Sequence, residues 1–272
     1  GCIYKDLGNL DQALASTLQS LKLKPNHPGA LMNLGSIYKD LGNLDQALAS
    51  TLQSLKLQPN NPGALMNLGS IYQDLGSFDY ALASTLKSLK LRPDNPIALM
   101  NLGGIYKDLG KLDQALASVL QSLELKPDNP GACINLGIIY QDIGNLDEAL
   151  ACTLQSLKLE QDNPIALMNL GSIYHDMGKL DLALASTMHS IDLQPDNPDA
   201  YLNLGSIYQD LGNLEQALTS VLKSLDQNPD NPKALTNLGR VYKDLGQLDQ
   251  AIVSTLQSLK LKSDNPIALL NL

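Results

Sequence analysis

Apolar and polar positions recur along this chain with a period of 34 residues, since residues 62–95 match 28–61 and 96–129 almost position for position. Counted from the proline that opens each repeat, apolar residues occupy positions 3, 4, 7, 10, 11 and 14. This spacing places them on one face of a helix. The first half of each repeat is therefore predicted to be a helix that buries this face, which runs from Ala30 to Leu41 in the first full repeat.

Residues at both ends of this first helix support the prediction. Asn61 precedes Pro62, which provides an N-cap followed by proline at the first helical position, where a missing N–H is not needed. Gly42 can adopt the left-handed conformation of a C-terminal cap, so the helix is predicted to end there.

A second helix is predicted to follow at once. Asn43 is its expected N-cap, with Gln46 in capping-box spacing, and Pro59 is expected to stop it. The residues expected on its buried face are Ala47, Leu48, Leu52 and Leu55. Gly35 is expected to let the two backbones approach closely, against the small residues Ala47, Thr51 and Ser54. Each repeat is thus predicted to be a helical hairpin.

The whole chain, 1–272, is predicted to be a single all-α array, because a hairpin of this kind buries its apolar face only against its neighbours. Residues 1–27 and 266–272 are partial repeats. The full repeats are 28–61, 62–95, 96–129, 130–163, 164–197, 198–231 and 232–265.

Composition and motif content exclude several classes of function. The formal net charge of −9 repels phosphate backbones, so nucleic acid is not an expected partner. No apolar run is long enough for a membrane span, and a soluble protein is expected, with the cytoplasm as the default compartment. Cys2, Cys133 and Cys152 share no motif spacing, so neither a disulfide framework nor a metal site is expected. No catalytic motif and no cofactor motif is present, so the chain is not expected to be an enzyme.

The repeat resembles the tetratricopeptide family. The residues that align with its signature are Leu31, Leu34, Gly35, Tyr38, Ala47 and Pro59. The match departs where Leu31 replaces Trp, where Thr51 replaces Phe and where Gln161 and Ser263 replace the closing proline, which indicates a variant packed with smaller residues. The resemblance implies a right-handed α-solenoid superhelix whose concave surface is lined mainly by the first helix of each repeat.

One polar position on that helix never varies. Position 6 is Asn in every repeat that contains it: Asn33, Asn67, Asn101, Asn135, Asn169, Asn203, Asn237 and Asn271. Asn is unfavourable in the middle of a helix, by roughly 0.5–0.7 kcal/mol relative to Ala. A row of carboxamides can bond the N–H and C=O groups of an extended peptide. The row is similar to the asparagine ladder of O-linked N-acetylglucosamine transferases, which holds protein substrates by their backbone. The alternative is that each Asn only bonds a neighbouring helix and sets the stacking angle.

Position 13 is Asp throughout: Asp6, Asp40, Asp74, Asp108, Asp142, Asp176, Asp210 and Asp244. These aspartates either select basic or hydroxyl-rich peptides or form a solvated face balanced by the Lys residues found at position 12. Position 9 is mostly Ser but becomes Ile138 and Arg240, so selectivity between ligands is expected at such varied positions.

The leading hypothesis is a module that binds an extended polypeptide through the Asn residues at position 6 and the Asp residues from Asp40 onward. A second hypothesis is a scaffold that stacks head to tail, because joining Leu272 to Gly1 would recreate a first helix. Its expected contact residues are Gly1, Tyr4, Ala268, Leu269 and Leu272. A third hypothesis is the substrate-recognition arm of a larger glycosyl- or group-transferring enzyme.

Overall fold

The computed structural model describes residues 2–272, without the side chains of Cys2 and Asp6. Over these residues the chain forms seventeen α-helices and no strand, so the predicted all-α class is confirmed. The first helices are α1 Cys2–Asp6, α3 Pro28–Asp40, α5 Pro62–Asp74, α7 Pro96–Asp108, α9 Pro130–Ile143, α11 Pro164–Asp176, α13 Pro198–Asp210, α15 Pro232–Asp244 and α17 Pro266–Asn271. The second helices are α2 Leu10–Leu23, α4 Leu44–Leu57, α6 Phe78–Leu91, α8 Leu112–Leu125, α10 Leu146–Leu159, α12 Leu180–Leu193, α14 Leu214–Gln227 and α16 Leu248–Leu261.

The predicted ends of the first helix are confirmed. Asn61 has extended backbone angles, and its side chain accepts a hydrogen bond from the Ala64 N–H over 3.1 Å. Gly42 has a φ of +75°, and the next N–H, that of Asn43, donates to the Tyr38 carbonyl over 2.8 Å. This is the bond that closes a helix through a left-handed residue, which glycine adopts without a steric penalty.

The predicted cap of the second helix is wrong for most repeats. Asn43 makes no capping hydrogen bond to α4, whereas Asn9 accepts one from the Gln12 N–H over 3.1 Å. In both turns the next N–H bonds back to the glycine carbonyl, but ψ is 67° at Asn43 and 81° at Asn9, so Asn43 lies further from the extended region. Side-chain capping favours the extended region, where Asn61 lies with a ψ of 110°.

The buried face predicted for the first helix is largely confirmed. Ala30, Leu31, Leu34 and Ile37 are buried, and Ile37 is only 1% exposed. Tyr38 and Leu41, at the end of this face, are half-buried. The apolar periodicity therefore identifies the residues that hold the first helix against its neighbours.

The buried face predicted for the second helix needs a correction. Leu52 is 43% exposed, and Leu48 and Leu55 are only half-buried. The buried residues of α4 are Ala47, Ser50, Thr51 and Ser54. The second helix thus turns its small residues inward and leaves a leucine facing outward.

Gly35 explains why small residues pack at this contact. A Cβ atom at this position would lie 3.0 Å from the Ala47 carbonyl oxygen and closer still to Thr51 Oγ1. At this separation Ser54 Oγ reaches across the hairpin and donates to the Pro28 carbonyl over 2.8 Å. The same bond recurs from Ser88 to Pro62, Ser122 to Pro96, Ser190 to Pro164 and Ser258 to Pro232. A leucine pointing inward would hold the helices too far apart for this bond.

The chain divides into two compact units, Gly1–Ile139 and Tyr140–Leu272. Within each unit a helix packs against the helices before and after it, and first helices of adjacent repeats also touch. None of the described helices is long and apolar enough to cross a membrane.

Candidate peptide-binding surface

Positions 6, 9, 12 and 13 of adjacent first helices form a partly exposed polar surface in each unit, called here the first-helix surface. In the first unit it lies on α3, α5, α7 and the start of α9; in the second it lies on α11, α13 and α15. The buried face on the opposite side of these helices holds them in place, and the helices position the side chains of the surface.

The Asn side chains at position 6 lie at the border between the core and this surface. Half-buried are Asn33, Asn67, Asn101, Asn135, Asn203 and Asn237. Asn169 is only 7% exposed, and its Nδ2 has no hydrogen-bond partner among the described residues. Asn237 Nδ2 donates to Ser206 Oγ of the preceding repeat over 3.0 Å. An amide at this depth can bond a neighbouring repeat or a ligand.

The predicted Asp residues are exposed near the C-terminal ends of the first helices, although the side chain of Asp108 is only 25% exposed. These residues are Asp40, Asp74, Asp108, Asp142, Asp176, Asp210 and Asp244. Within each unit these carboxylates contact position 12 of the preceding repeat. The contacts are Lys5 Nζ to Asp40 at 3.0 Å, Lys39 Nζ to Asp74 at 3.3 Å, Gln73 Nε2 to Asp108 at 2.7 Å, Gln141 Nε2 to Asp176 at 2.5 Å, His175 Nε2 to Asp210 at 2.7 Å, and Gln209 Nε2 to Asp244. Exposed pairs of this kind each contribute about 0–1 kcal/mol, so the row links repeats without dominating stability.

Position 12 also reaches position 9 of the following repeat. Gln141 Nε2 donates to Ser172 Oγ over 2.9 Å, and Lys5 Nζ donates to Ser36 Oγ. At one junction the direction is reversed, because Arg240 Nε donates to Gln209 Oε1 over 2.9 Å. Each of these junctions is therefore crossed by a small polar network.

A cavity of about 350 Å³ opens on the first-helix surface of the first unit. It brings together four of the predicted site residues, Asn101, Asn135, Asp74 and Asp108. The remaining lining residues are Gln73, Gly104, Lys107, Ile138 and Ile139. The predicted Asn and Asp residues of three neighbouring repeats thus share one concave site.

The second unit has a smaller counterpart of about 90 Å³, which includes the predicted residue Asn203. The other residues that line it are Ser172, His175, Ser206 and Ile207. His175 stands between two carboxylates, with its Nε2 2.7 Å from Asp210 and its Nδ1 4.0 Å from Asp176.

Two features of this surface were missed by sequence reasoning. The first is Gly104, where most repeats have Ser. The second is the pairing of position 12 with the Asp of the next repeat, 35 residues further on. A signal for the pairing exists, because position 12 is always a hydrogen-bond donor: Lys5, Lys39, Gln73, Lys107, Gln141, His175, Gln209 and Lys243.

The residues expected to mediate head-to-tail assembly differ in exposure. Gly1 lies outside the described residues. Tyr4, Leu269 and Leu272 are 40%, 57% and 58% exposed, whereas Ala268 is fully buried within the chain. The exposed apolar part at the C-terminal end therefore includes Leu269 and Leu272.

Stacked hairpins with these contacts define a helical-repeat protein. A family profile described as TPR repeat matches residues 35–76, 103–144 and 171–212. Two profiles described as Tetratricopeptide repeat match residues 221–253, and residues 1–27, 62–95, 130–163 and 198–231. The chain belongs to the tetratricopeptide-repeat family, which confirms the resemblance read from the repeat. Proteins of this fold are typically non-catalytic protein-interaction modules.

Solved structures agree with this fold. The chain superposes on a chain of the APC/C hetero-tetramer Cut9-Hcn1 with a TM-score of 0.80 at 18% identity, covering 96% of this chain and 52% of that one. It therefore spans about half the length of that relative. A tetratricopeptide repeat protein from Parabacteroides merdae gives a TM-score of 0.68 at 19% identity, covering 90% of this chain and 96% of that one. A thermophilic tetratricopeptide protein from Thermus thermophilus, TTC0263, gives 0.63 at 27% identity, covering 67% of this chain and 100% of that one. The comparison with curated proteins finds no match.

Proposed function

We propose that the chain binds an extended polypeptide along the first-helix surface, through the Asn amides at position 6 and the Asp carboxylates at position 13. The observation that carries the proposal is the cavity in the first unit, where Asn101 and Asn135 lie together with Asp74 and Asp108. The repeat that supplies these residues recurs along the chain, which suits a ligand that is itself a linear polymer.

The chemistry of the amide supports this ligand class. A carboxamide both donates and accepts, so successive Asn side chains can bond the C=O and N–H groups of a peptide without reading its side chains. The amides are half-buried, which restrains their rotamers and lowers the entropy lost when a ligand binds.

The carboxylates are placed to add affinity. Asp74 contacts Lys39 at 3.3 Å, yet its side chain is still 42% exposed, so a peptide donor can reach it. The negative formal charge of the chain favours the approach of cationic peptides over long range.

The alternative role of Asn in stacking has support at one junction. Asn237 donates to Ser206 of the preceding repeat, as expected of a residue that fixes the angle between repeats. The two roles predict different results when the amides are removed, because a stacking residue contributes to stability and a ligand-binding residue does not.

Replacement of Asn101, Asn135 and Asn169 together by Ala tests the proposal. The probe is a display library of random short peptides, from which sequences bound by the unmodified chain are selected and their affinities measured. With about 1 kcal/mol for each lost hydrogen bond, the triple variant is expected to bind selected peptides about 10- to 100-fold more weakly. Helical circular dichroism is expected to be preserved, and the melting temperature is expected to stay the same or rise, since Ala is the better helix former.

The matched control removes three carboxamides from the second helices, by replacing Gln53, Gln121 and Gln155 with Ala. These side chains are exposed and lie away from the first-helix surface, so peptide binding is expected to be unchanged. If the Asn variant instead bound peptides normally but melted at a lower temperature, the stacking role would replace the proposed one.

The other functional hypotheses remain predictions with tests of their own. Head-to-tail assembly predicts a mass that rises with concentration in light scattering, and a constant monomer mass would contradict it. The substrate-arm hypothesis requires a catalytic domain in the same full-length reading frame. Nucleic acid and membranes are not expected partners. The treatment of residues 1–272 as a single array also remains a prediction.

A further inference from the structure

The cavity in the first unit has an apolar part and an acidic part. Ile138, which is half-buried, and Ile139, which is fully buried, form the apolar part of its lining. Asp74, Asp108 and Lys107 also line it, and Lys39 contacts Asp74 at 3.3 Å from outside this lining, so each carboxylate already has one ammonium partner and Asp74 keeps an exposed side chain. A long side chain with methylene groups and a cationic end would complement both parts.

Gly104 contributes to the open space. At position 9, Ser36, Ser70, Ser172 and Ser206 carry a hydroxymethyl group that Gly104 lacks. In the second unit, where Ser172 and Ser206 occupy this position, the equivalent cavity measures about 90 Å³, against about 350 Å³ in the first. A Cβ added to Gly104 would lie 3.1 Å from Gln73 Nε2, so even one carbon would crowd the cavity lining.

Of the two carboxylates that line the cavity, Asp74 is the one that a ligand can reach more easily. Both oxygens of Asp108 have donors within the chain, Lys107 at 3.3 Å on Oδ1 and Gln73 at 2.7 Å on Oδ2. Asp74 contacts Lys39 through Oδ2 at 3.3 Å and remains 42% exposed. A cation that enters the cavity can therefore pair with Asp74 without breaking the bond between Gln73 and Asp108.

We propose that this cavity receives one Lys or Arg side chain of the bound polypeptide, with its methylenes on Gly104 and Ile138 and its cationic end on Asp74. The proposal rests on the proposed function, because Asn101 and Asn135 at the same cavity would hold the peptide backbone on either side of that residue. An acidic side chain would meet two carboxylates whose ammonium partners, Lys39 and Lys107, are already paired, and an aliphatic one would cover the exposed part of Asp74 without adding a donor. The site thus selects a basic residue at one point of an otherwise sequence-tolerant surface.

The test uses peptides selected by the unmodified chain from the random library. These sequences are expected to share one Lys or Arg, and its replacement by norleucine or Glu is expected to weaken binding at least about tenfold. The variant Gly104→Ser is expected to reduce the affinity of the basic peptide about tenfold and to leave its Ala-substituted form unchanged. Asp74→Asn is expected to abolish the preference for Lys over norleucine.

Two comparisons keep the outcomes separate. Ile138→Ser removes the apolar side chain that the methylenes would contact, so it should also weaken binding of the basic peptide if both variants keep their helical content. Selected peptides without a shared basic residue, or a preference that survives both Gly104→Ser and Asp74→Asn, would overturn this inference alone. A library that yields no binding peptide, or peptides indifferent to the triple Asn variant, would overturn the proposed function and this inference with it.

Discussion

The amide of Gln73 donates to the carboxylate of Asp108 over 2.7 Å and so joins the first helices of two adjacent repeats. The same junction is bordered by Gly104, which allows the Gln73 side chain to lie close to α7. A bond between repeats and the cavity on the first-helix surface are therefore built from the same few side chains.

Replacement of Gln73 by Met removes this bond while keeping a long side chain. Because the contact is exposed, the free energy of unfolding is expected to fall by less than about 1 kcal/mol. Urea denaturation measures the change, with Gln53→Met as the control on an exposed part of a second helix. A loss above about 2 kcal/mol would mean that these polar contacts, rather than the buried faces, hold the repeats together.

Replacement of Thr85 by Val is expected to stabilise the protein by about 1 kcal/mol, since the buried Thr85 Oγ1 has no hydrogen-bond partner among the described residues. Val119 and Val221 already occupy the equivalent position in two other repeats. The control is Thr153→Val. The Thr153 Oγ1 donates to the Ala149 carbonyl over 2.9 Å, so removing this hydroxyl should stabilise the protein less. Thermal denaturation of both variants measures the difference, and an equal gain would contradict the explanation.

Replacement of Gly35 by Ala is expected to destabilise the hairpin by about 1–3 kcal/mol, because the added methyl meets the Ala47 carbonyl and the Thr51 hydroxyl. Gly104→Ala is the matched control in the interior of another first helix. There the nearest atom belongs to the flexible end of Gln73, so the better helix propensity of Ala should raise stability by about 0.5–1 kcal/mol. Chemical denaturation should show opposite signs, and a loss at both positions would mean that neither helix tolerates a methyl group.

Burial raises the pKa of the Cys133 thiol, with a smaller contribution from the Asp128 carboxylate. Since the thiolate is the reactive form, iodoacetamide is expected to label Cys133 more slowly than the half-buried Cys152 at neutral pH. The folded chain keeps this proton where the unfolded chain releases it, so the contribution of Cys133 to stability falls as pH rises above the ordinary thiol pKa. Peptide mapping by mass spectrometry measures both rates, and faster labelling of Cys133 would show that its helix opens readily.

The first helix could be predicted almost completely from the sequence. Ile37 and Leu34 are buried as their spacing requires, and Asn61 caps the helix that begins at Pro62. Periodicity and capping are local properties, in which each residue interacts mainly with neighbours a few positions away. The family resemblance was readable for the same reason.

The inner face of the second helix could be assigned only in part. Thr51 and Ser54, expected opposite Gly35, are buried, but Leu52, expected to be buried because it is apolar and correctly spaced, is exposed. The deciding factor is the close approach at Gly35, which leaves room only for small side chains. The pattern of apolar residues alone does not determine the distance between two helices.

The repeat, its two helices, the capping of the first helix and the row of Asn and Asp side chains on it all follow from the linear pattern of residues. Which of these side chains meet depends on how the repeats pack. The contact between Gln73 and Asp108, and the cavity shared by Asn101 and Asn135, depend on how one repeat is offset against the next. Packing between the buried faces sets that offset. The pattern of apolar residues shows that such packing must occur, but it does not specify the geometry of the packing.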